Sequence, residues 1–154
     1  MAVANSQGAP VNQEPRTFSQ NDAELRALRD SVPTAVFRTS VHVLGRWQDA
    51  GLSIRPTTNG FALQAPLGAR MQSIGWMYAP DPRHSEPRVE VAIRILQRRG
   101  VPQSDLDALR DDLEAFTDGG DAMGLITIPI TSTMSVEDAE RLAATLVQFA
   151  HSLA

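Results

Sequence analysis

The sequence predicts an α+β fold, a mostly antiparallel five-stranded sheet with helices packed on one of its faces. Residues 88–96 alternate between apolar and polar side chains, which is the pattern of a strand that buries one face. Asn59 and Gly60 stand between two short apolar segments, as expected for a hairpin turn. Apolar residues spaced three and four apart after Ser104 and after Ser135 predict amphipathic helices.

The composition fits one domain behind a short tail. The chain has 154 residues, of which 42% are hydrophobic but only 5% aromatic, so we expect a mostly aliphatic core. Residues 1–18 are rich in Ala, Asn, Gln, Pro and Gly and carry too little apolar surface to offset the entropy of ordering. We therefore expect a flexible tail over 1–18 and a single domain over 19–154.

The first half of the chain predicts two helices and then four successive strands. Ser19 or Asn21 caps a helix that runs through Asp30, and Pro33 separates it from a second helix over 34–49. The strands are expected at 52–56, 61–65, 71–79 and 88–96. Four strands in succession predict an antiparallel meander.

The second half predicts a helix, a fifth strand and a final helix. Capping boxes open the two helices, one formed by Ser104 and Asp107 and the other by Ser135 and Asp138. We expect the helices at about 104–116 and 135–152, with the strand at 123–130 between them. The predicted order is α-α-β-β-β-β-α-β-α, in which the helix before the fifth strand makes a crossover.

The chain lacks the residues of several common catalytic sites. It has no cysteine, and all 14 of its basic residues are arginine, which excludes thiol nucleophiles, cysteine-bound zinc and Schiff-base lysines. No GxSxG, GxGxxG, GxxxxGK[ST] or HExxH motif occurs. The sequence therefore favours a protein that is not an enzyme, and it assigns no catalytic residue, metal ligand or cofactor.

Charge and hydropathy bear on where the protein works. The net charge of −4 gives no general attraction to nucleic acid, which binds basic surfaces. No segment approaches the roughly 20 apolar residues that span a bilayer, and no ordinary signal peptide is recognisable. We expect a cytoplasmic protein with no membrane insertion.

An acidic stripe is predicted on the helix at 104–116 and just beyond it. Its members are spaced four, three and four residues apart and are Asp107, Asp111, Glu114 and Asp118. At about 100° per residue they form one stripe, roughly opposite the apolar one. It is either a docking face for a basic partner or a solvated helix face.

Basic residues are concentrated just upstream of this stripe. Between residues 70 and 99 six arginines outnumber three acids, whereas between 100 and 122 seven acids face one arginine. The arginines taken as binding candidates are Arg88, Arg94, Arg98 and Arg99. Three alternatives stay open. The basic residues meet the acidic helix of another copy, they bind an anion or nucleic acid, or Arg98 and Arg99 pair with the helix that follows them in the same chain.

Alternation along the third strand places Ile74, Trp76 and Tyr78 on one face. Aromatic residues are enriched at interface hot spots, so Trp76 and Tyr78 are candidates for anchoring a partner. We also expect at least one of them to pack in the core.

Together these observations favour a non-catalytic protein-binding, adaptor or scaffolding module that forms a homo-oligomer or docks into a larger assembly. In size, acidity and α+β content the chain resembles small adaptor and secretion-chaperone-like proteins, which is a likeness of class and not of any motif. Two alternatives remain. One is a small metal-dependent enzyme using Asp81, His84 and Glu86, and the other is a nucleic-acid-binding module using the arginines of 88–99.

Overall fold

A computed structural model describes residues 23–117, 121–122 and 124–153 of the chain. Over these residues it contains five α-helices: α1 (Ala23–Ser31), α2 (Thr34–Asp49), α3 (Ile93–Arg98), α4 (Gln103–Leu113) and α5 (Val136–Ser152). A short 3₁₀ turn (Glu114–Phe116) directly follows α4. The strands are β1 (Ser53–Thr57), β2 (Gly60–Leu67), β3 (Arg70–Tyr78), β4 (Arg88–Ala92), β5 (Asp121–Ala122) and β6 (Leu125–Pro129). The predicted tail over 1–18 and the caps at Ser19 and Asn21 lie outside the described residues.

The strands form one antiparallel sheet in the order β1-β2-β3-β4-β6-β5. Five strands of five to nine residues make up the sheet, and the two-residue β5 extends it beside β6. The first four strands form a meander, and α3 and α4 connect β4 to the β5–β6 hairpin. The predicted α+β class and element order are confirmed.

One hydrophobic core lies between the sheet and the helices. Alternate strand residues such as Phe61, Met77 and Val89 enter it and are almost completely buried, as are apolar residues of every helix. Trp47 of α2 is 1% exposed, and its indole N–H donates to the Ser53 carbonyl oxygen at 2.8 Å. This bond satisfies the polar atom of the indole while its rings add apolar area to the core.

A β-bulge in β3 sets which residues reach this core. Leu63 of β2 pairs with Gly75 and Gln64 pairs with Ser73, so Ile74 is an extra residue without a partner on β2. Ile74 is buried in the core, yet Trp76 and Tyr78 lie on the opposite face of the sheet and outside the core. The prediction that the three share a face, and that one aromatic packs in the core, is wrong.

Beyond small shifts at the ends of several elements, three features differ from the predicted ones. The fourth strand ends at Ala92 rather than 96, because Ile93 and Leu96 are three residues apart and both are buried as one face of α3. The fifth strand divides into the β5–β6 hairpin, which turns at Gly124 with a φ of 78°. The loop of the first hairpin is formed by Thr58 and Asn59, with Gly60 opening β2.

Gly60 is needed for close packing as well as for its backbone conformation. Its φ is 153°, and a Cβ atom built at this position would collide with the carbonyl oxygen of Met77 on β3. Only a residue without a side chain fits where the two strands approach so closely.

The two predicted capping boxes have different outcomes. At α5 the Ser135 hydroxyl accepts from the Asp138 N–H at 3.0 Å, and the Ser135 N–H donates back to the Asp138 carboxylate. The predicted box at α4 is wrong, because Pro102 is the N-cap and Ser104 already lies within the helix. Asp107 instead accepts hydrogen bonds from Gln103 and Arg110.

These two serines give a matched test of the fold. Replacing the N-cap residue, Ser135→Ala, should lower the free energy of unfolding by about 1 kcal/mol, since one helix N–H loses its acceptor. Ser104→Ala should change it by less than about 0.5 kcal/mol, because that exposed side chain caps nothing. Urea unfolding followed by circular dichroism measures both, and equal losses would contradict the assignment.

Candidate functional site

Several residues singled out in the sequence lie on the sheet face opposite the helices, and we call this face the open face. Two cross-strand rows, fixed by the strand register, form its centre. One row contains Thr57, Gly60, Tyr78, Arg88 and Pro129, and the other contains Arg55, Ala62, Trp76, Glu90 and Thr127. Three of the ten predicted site residues, Trp76, Tyr78 and Arg88, therefore come together here.

The aromatic side chains of β3 stand between small and charged neighbours. Trp76 is opposite Ala62 on one side and Glu90 on the other, and Tyr78 is opposite Gly60 and Arg88. Both aromatics are half-buried and neither belongs to the core. Burial raises the pKa of the Tyr78 phenol, and the nearby Glu90 carboxylate raises it further, against an opposing effect of Arg88. The hydroxyl therefore stays protonated and can donate a hydrogen bond.

Arg88 is the most enclosed charged residue of the open face, with 8% of its surface exposed. Its Nε donates to Glu90 at 2.8 Å, and its Nη2 lies 3.1 Å from an oxygen of Asp81. The guanidinium carbon lies 5.0 Å from the centre of the Tyr78 ring, close enough for a cation–π contact. Its Nη1 is buried and has no acceptor among the described residues. The ion pairs and the ring contact of Arg88 are thus all made within its own chain.

The loop between β3 and β4 is held by the carboxylate of Asp81. One Asp81 oxygen accepts the backbone N–H groups of Arg83 and His84 at 2.8 and 2.9 Å and lies 3.3 Å from Nδ1 of the imidazole. The other oxygen pairs with Arg88. Glu86 is exposed and makes no contact with this group among the described residues. Asp81 and His84 therefore meet as predicted, but Glu86 does not join them.

This arrangement leaves little basicity for catalysis. The Arg83 N–H is the main cause that lowers the pKa of Asp81 to about 2, helped by His84 and Arg88 and partly opposed by burial. A carboxylate with so low a pKa is a weak general base near neutral pH. Within the described residues, no three His, Asp or Glu side chains are grouped so that they could hold a metal ion.

The other three predicted arginines do not converge with Arg88. Arg99 donates to the Ser73 carbonyl oxygen at 2.9 Å and so ties the end of α3 to β3. Arg94 lies against Gly124, and Arg98 is exposed on the next turn of α3. Of the four arginines in 88–99, one is therefore buried in two ion pairs, one ties α3 to β3 through a hydrogen bond, and two have side chains without an ion pair or hydrogen bond among the described residues.

The acidic stripe is present on α4 and at the start of the 3₁₀ turn after it, but it does not meet these arginines. Asp107, Asp111 and Glu114 are exposed, and none forms an ion pair with Arg88, Arg94, Arg98 or Arg99. The predicted fourth member, Asp118, lies outside the described residues. Pairing of the stripe with the upstream arginines within the chain, which was one open alternative, is not found in the described part.

Two concave sites have no counterpart in the sequence analysis. A pocket of about 250 Å³ lies between α1 and the β1–β2 hairpin, where Ala27 and Leu28 face Phe61 and Met77. A groove of about 180 Å³ separates α4 from α5, with Asp105 and Asp112 on the α4 side. Both sites form only when elements distant in sequence pack together, so no local sequence pattern predicts them.

Comparisons with protein-family models, with curated proteins and with solved structures give no match for this chain. None of the helices among the described residues is long and apolar enough to cross a membrane. The chemistry of the residues themselves must therefore support any functional assignment.

The Asp81 contacts predict a pH dependence of stability. Because folding lowers the pKa of Asp81 from 3.8 to about 2, the ionised form stabilises the fold. The stabilisation is complete above the ordinary pKa of 3.8. It is lost as the pH falls through the folded-state pKa of about 2. The stability advantage of the wild type over Asp81→Asn should therefore shrink from about pH 5 to about pH 2. Thermal unfolding across this range measures the difference, and Glu86→Gln serves as the control because Glu86 lies in the same loop without a partner among the described residues. The prediction is refuted if the stability differences of both variants from the wild type change with pH in the same way.

Proposed function

We propose that this protein is a non-catalytic, protein-binding adaptor module whose open face receives a partner protein. The observation that carries the proposal is the outward position of Trp76 and Tyr78, outside the only core of the described chain. Aromatic side chains in the middle of an interface commonly supply a large share of the binding free energy.

The surroundings of the aromatics support specific rather than general binding. The Arg88 ion pairs and the stacking on Tyr78 hold this part of the face in one conformation before a partner arrives. A pre-organised face loses less side-chain entropy on binding. Apolar Trp76 has charged Glu90 on one side and, beyond the small Ala62, exposed Arg55 on the other. This gives the mixture of an apolar centre and a polar rim that interfaces use.

The charge and the site chemistry favour a protein over the other partners considered. Arg88 is held within the chain, Asp81 is a weak base, and the overall charge is −4. We also retain the expectation of a cytoplasmic protein, since a chain without cysteine forms no disulfide that would need an oxidising compartment.

Site-specific photocrosslinking in the cells that make the protein tests this proposal. A benzoylphenylalanine at Thr127 on the open face should trap a defined protein, whereas the same group at Val136, 75% exposed at the start of α5, should not. Equal trapping at both positions, or trapping at Val136 alone, would refute the open face as the binding surface.

The trapped partner then allows a quantitative prediction. Trp76→Ala should weaken its binding by about 2 kcal/mol or more, which is the usual cost of truncating an aromatic hot spot. The matched control Val136→Ala, which also removes exposed apolar surface, should leave the affinity unchanged. Titration calorimetry measures the affinities, and circular dichroism verifies that both variants fold. Unchanged affinity of a folded Trp76→Ala variant would contradict the proposal.

A further inference from the structure

The exposed sides of α3 and α4 form a continuous surface, which we call the α3–α4 surface. Gln97 of α3 donates to Gln103 of α4 at 2.8 Å, and Gln103 donates to Asp107 at 2.9 Å. These bonds join the last turn of α3 to the first turn of α4, and they show which side of α4 begins next to α3. The surface shares no residue with the two rows of the open face.

One part of this surface is basic. Arg94 and Arg98 are four residues apart on α3 and therefore point in similar directions. Both are exposed, and neither side chain has an ion pair or hydrogen bond within the described chain. Ile95 beside them is 36% exposed, one of three large hydrophobic residues so exposed among the described ones.

The neighbouring part is acidic. Asp111 of α4 and Glu114, the first residue of the 3₁₀ turn directly after α4, follow Asp107 at spacings of four and three. They therefore continue along the side of the helix that carries Asp107. Both carboxylates are exposed and have no partner within the described chain. Asp107 is different, because it accepts from Gln103 and Arg110.

The surface therefore contains two unpaired arginines and two unpaired carboxylates, separated by the glutamine bridge. In a dimer with two-fold symmetry, residue i of one copy contacts residue j of the other and the reverse also holds. A two-fold axis near Gln97 and Gln103 would bring each basic part onto the acidic part of the second copy.

From this charge complementarity we infer that a second copy of the chain occupies the α3–α4 surface and forms a symmetric homodimer. A second copy suits the surface better than a purely basic partner, because such a partner would meet Arg94 and Arg98 as well as the acids. Like charges placed opposite one another oppose association. A second copy carries both acidic and basic groups, so each part of the surface can meet charges of the opposite sign. The exposed Ile95 adds apolar area at the same contact.

Light scattering after size exclusion and sedimentation equilibrium test the dimer on the full chain. The wild type should show a mass twice that of the 16.7 kDa chain, with a dissociation constant that rises with salt because exposed charges are screened. The double reversal Asp111→Arg with Glu114→Arg should weaken the dimer at least about tenfold, since symmetry makes each reversal count twice. Arg94→Glu with Arg98→Glu should do the same.

A mixing experiment makes the test decisive. The two reversed variants, each with weakened self-association, should form a heterodimer when combined, because the four unpaired positions are all basic in one variant and all acidic in the other. The control Asp105→Arg with Asp112→Arg makes the same charge change on the α5 side of α4 and should leave the dimer intact.

Three outcomes would overturn the inference. These are a monomeric wild type at high concentration, a control that dissociates as readily as the reversed variants, or a mixture that stays monomeric while both components are folded by circular dichroism. Should a reversed variant misfold, the isosteric change Asp111→Asn with Glu114→Gln serves instead and should weaken the dimer in the same direction. Trp76→Ala should leave the dimer unchanged, so this result is separable from the test of the open face.

Discussion

The extra residue at Ile74 is the constraint on which the two-sided character of the sheet depends. Without the bulge, strict alternation would place Ile74, Trp76 and Tyr78 on the same face, and Met77 would leave the core. The bulge instead allows Ile74 and Met77 to be buried together while Trp76 and Tyr78 face outward. The inserted residue thus reverses which face the side chains of β3 occupy after the bulge. As a result, Trp76 and Tyr78 form the aromatic centre of the open face.

Arg88 holds Tyr78 in its outward position, but burying its guanidinium costs free energy. Removing a guanidinium from water is unfavourable, and the cost is offset only when the charge is paired and hydrogen-bonded. Here Asp81 and Glu90 provide carboxylates and Tyr78 provides its ring, although one nitrogen remains without an acceptor in the described chain. Since Asp81 also closes the loop before β4, the same ion pair fixes the loop relative to the sheet. This network therefore fixes the positions of the loop, β3 and β4 relative to one another.

The sequence predicted the fold better than the site. Periodicity and capping correctly indicated α2, the meander and the Ser135 box, because those signals depend on neighbours a few residues apart. The bulge was missed, since inserting a residue depends on the partner strand rather than on β3 alone. Burial of Arg88 was missed for the same reason: Asp81 and Tyr78 reach it only across the sheet and its loop. The helical turn at Ile93 was ambiguous, because Val89, Val91 and Ile93 fit a strand while Ile93 and Leu96 fit a helix.

Two surfaces with different physical character follow from placing all helices on one side of the sheet. The open face is centred on aromatics and has its main arginine neutralised internally, so its binding should depend little on salt. The α3–α4 surface has unpaired charges of both signs and little apolar area, so its association should depend strongly on salt. Because the two surfaces share no residues, occupation of one does not require loss of the other. A symmetric dimer would then present two open faces at a fixed separation, which raises the effective concentration for any partner that carries two binding segments.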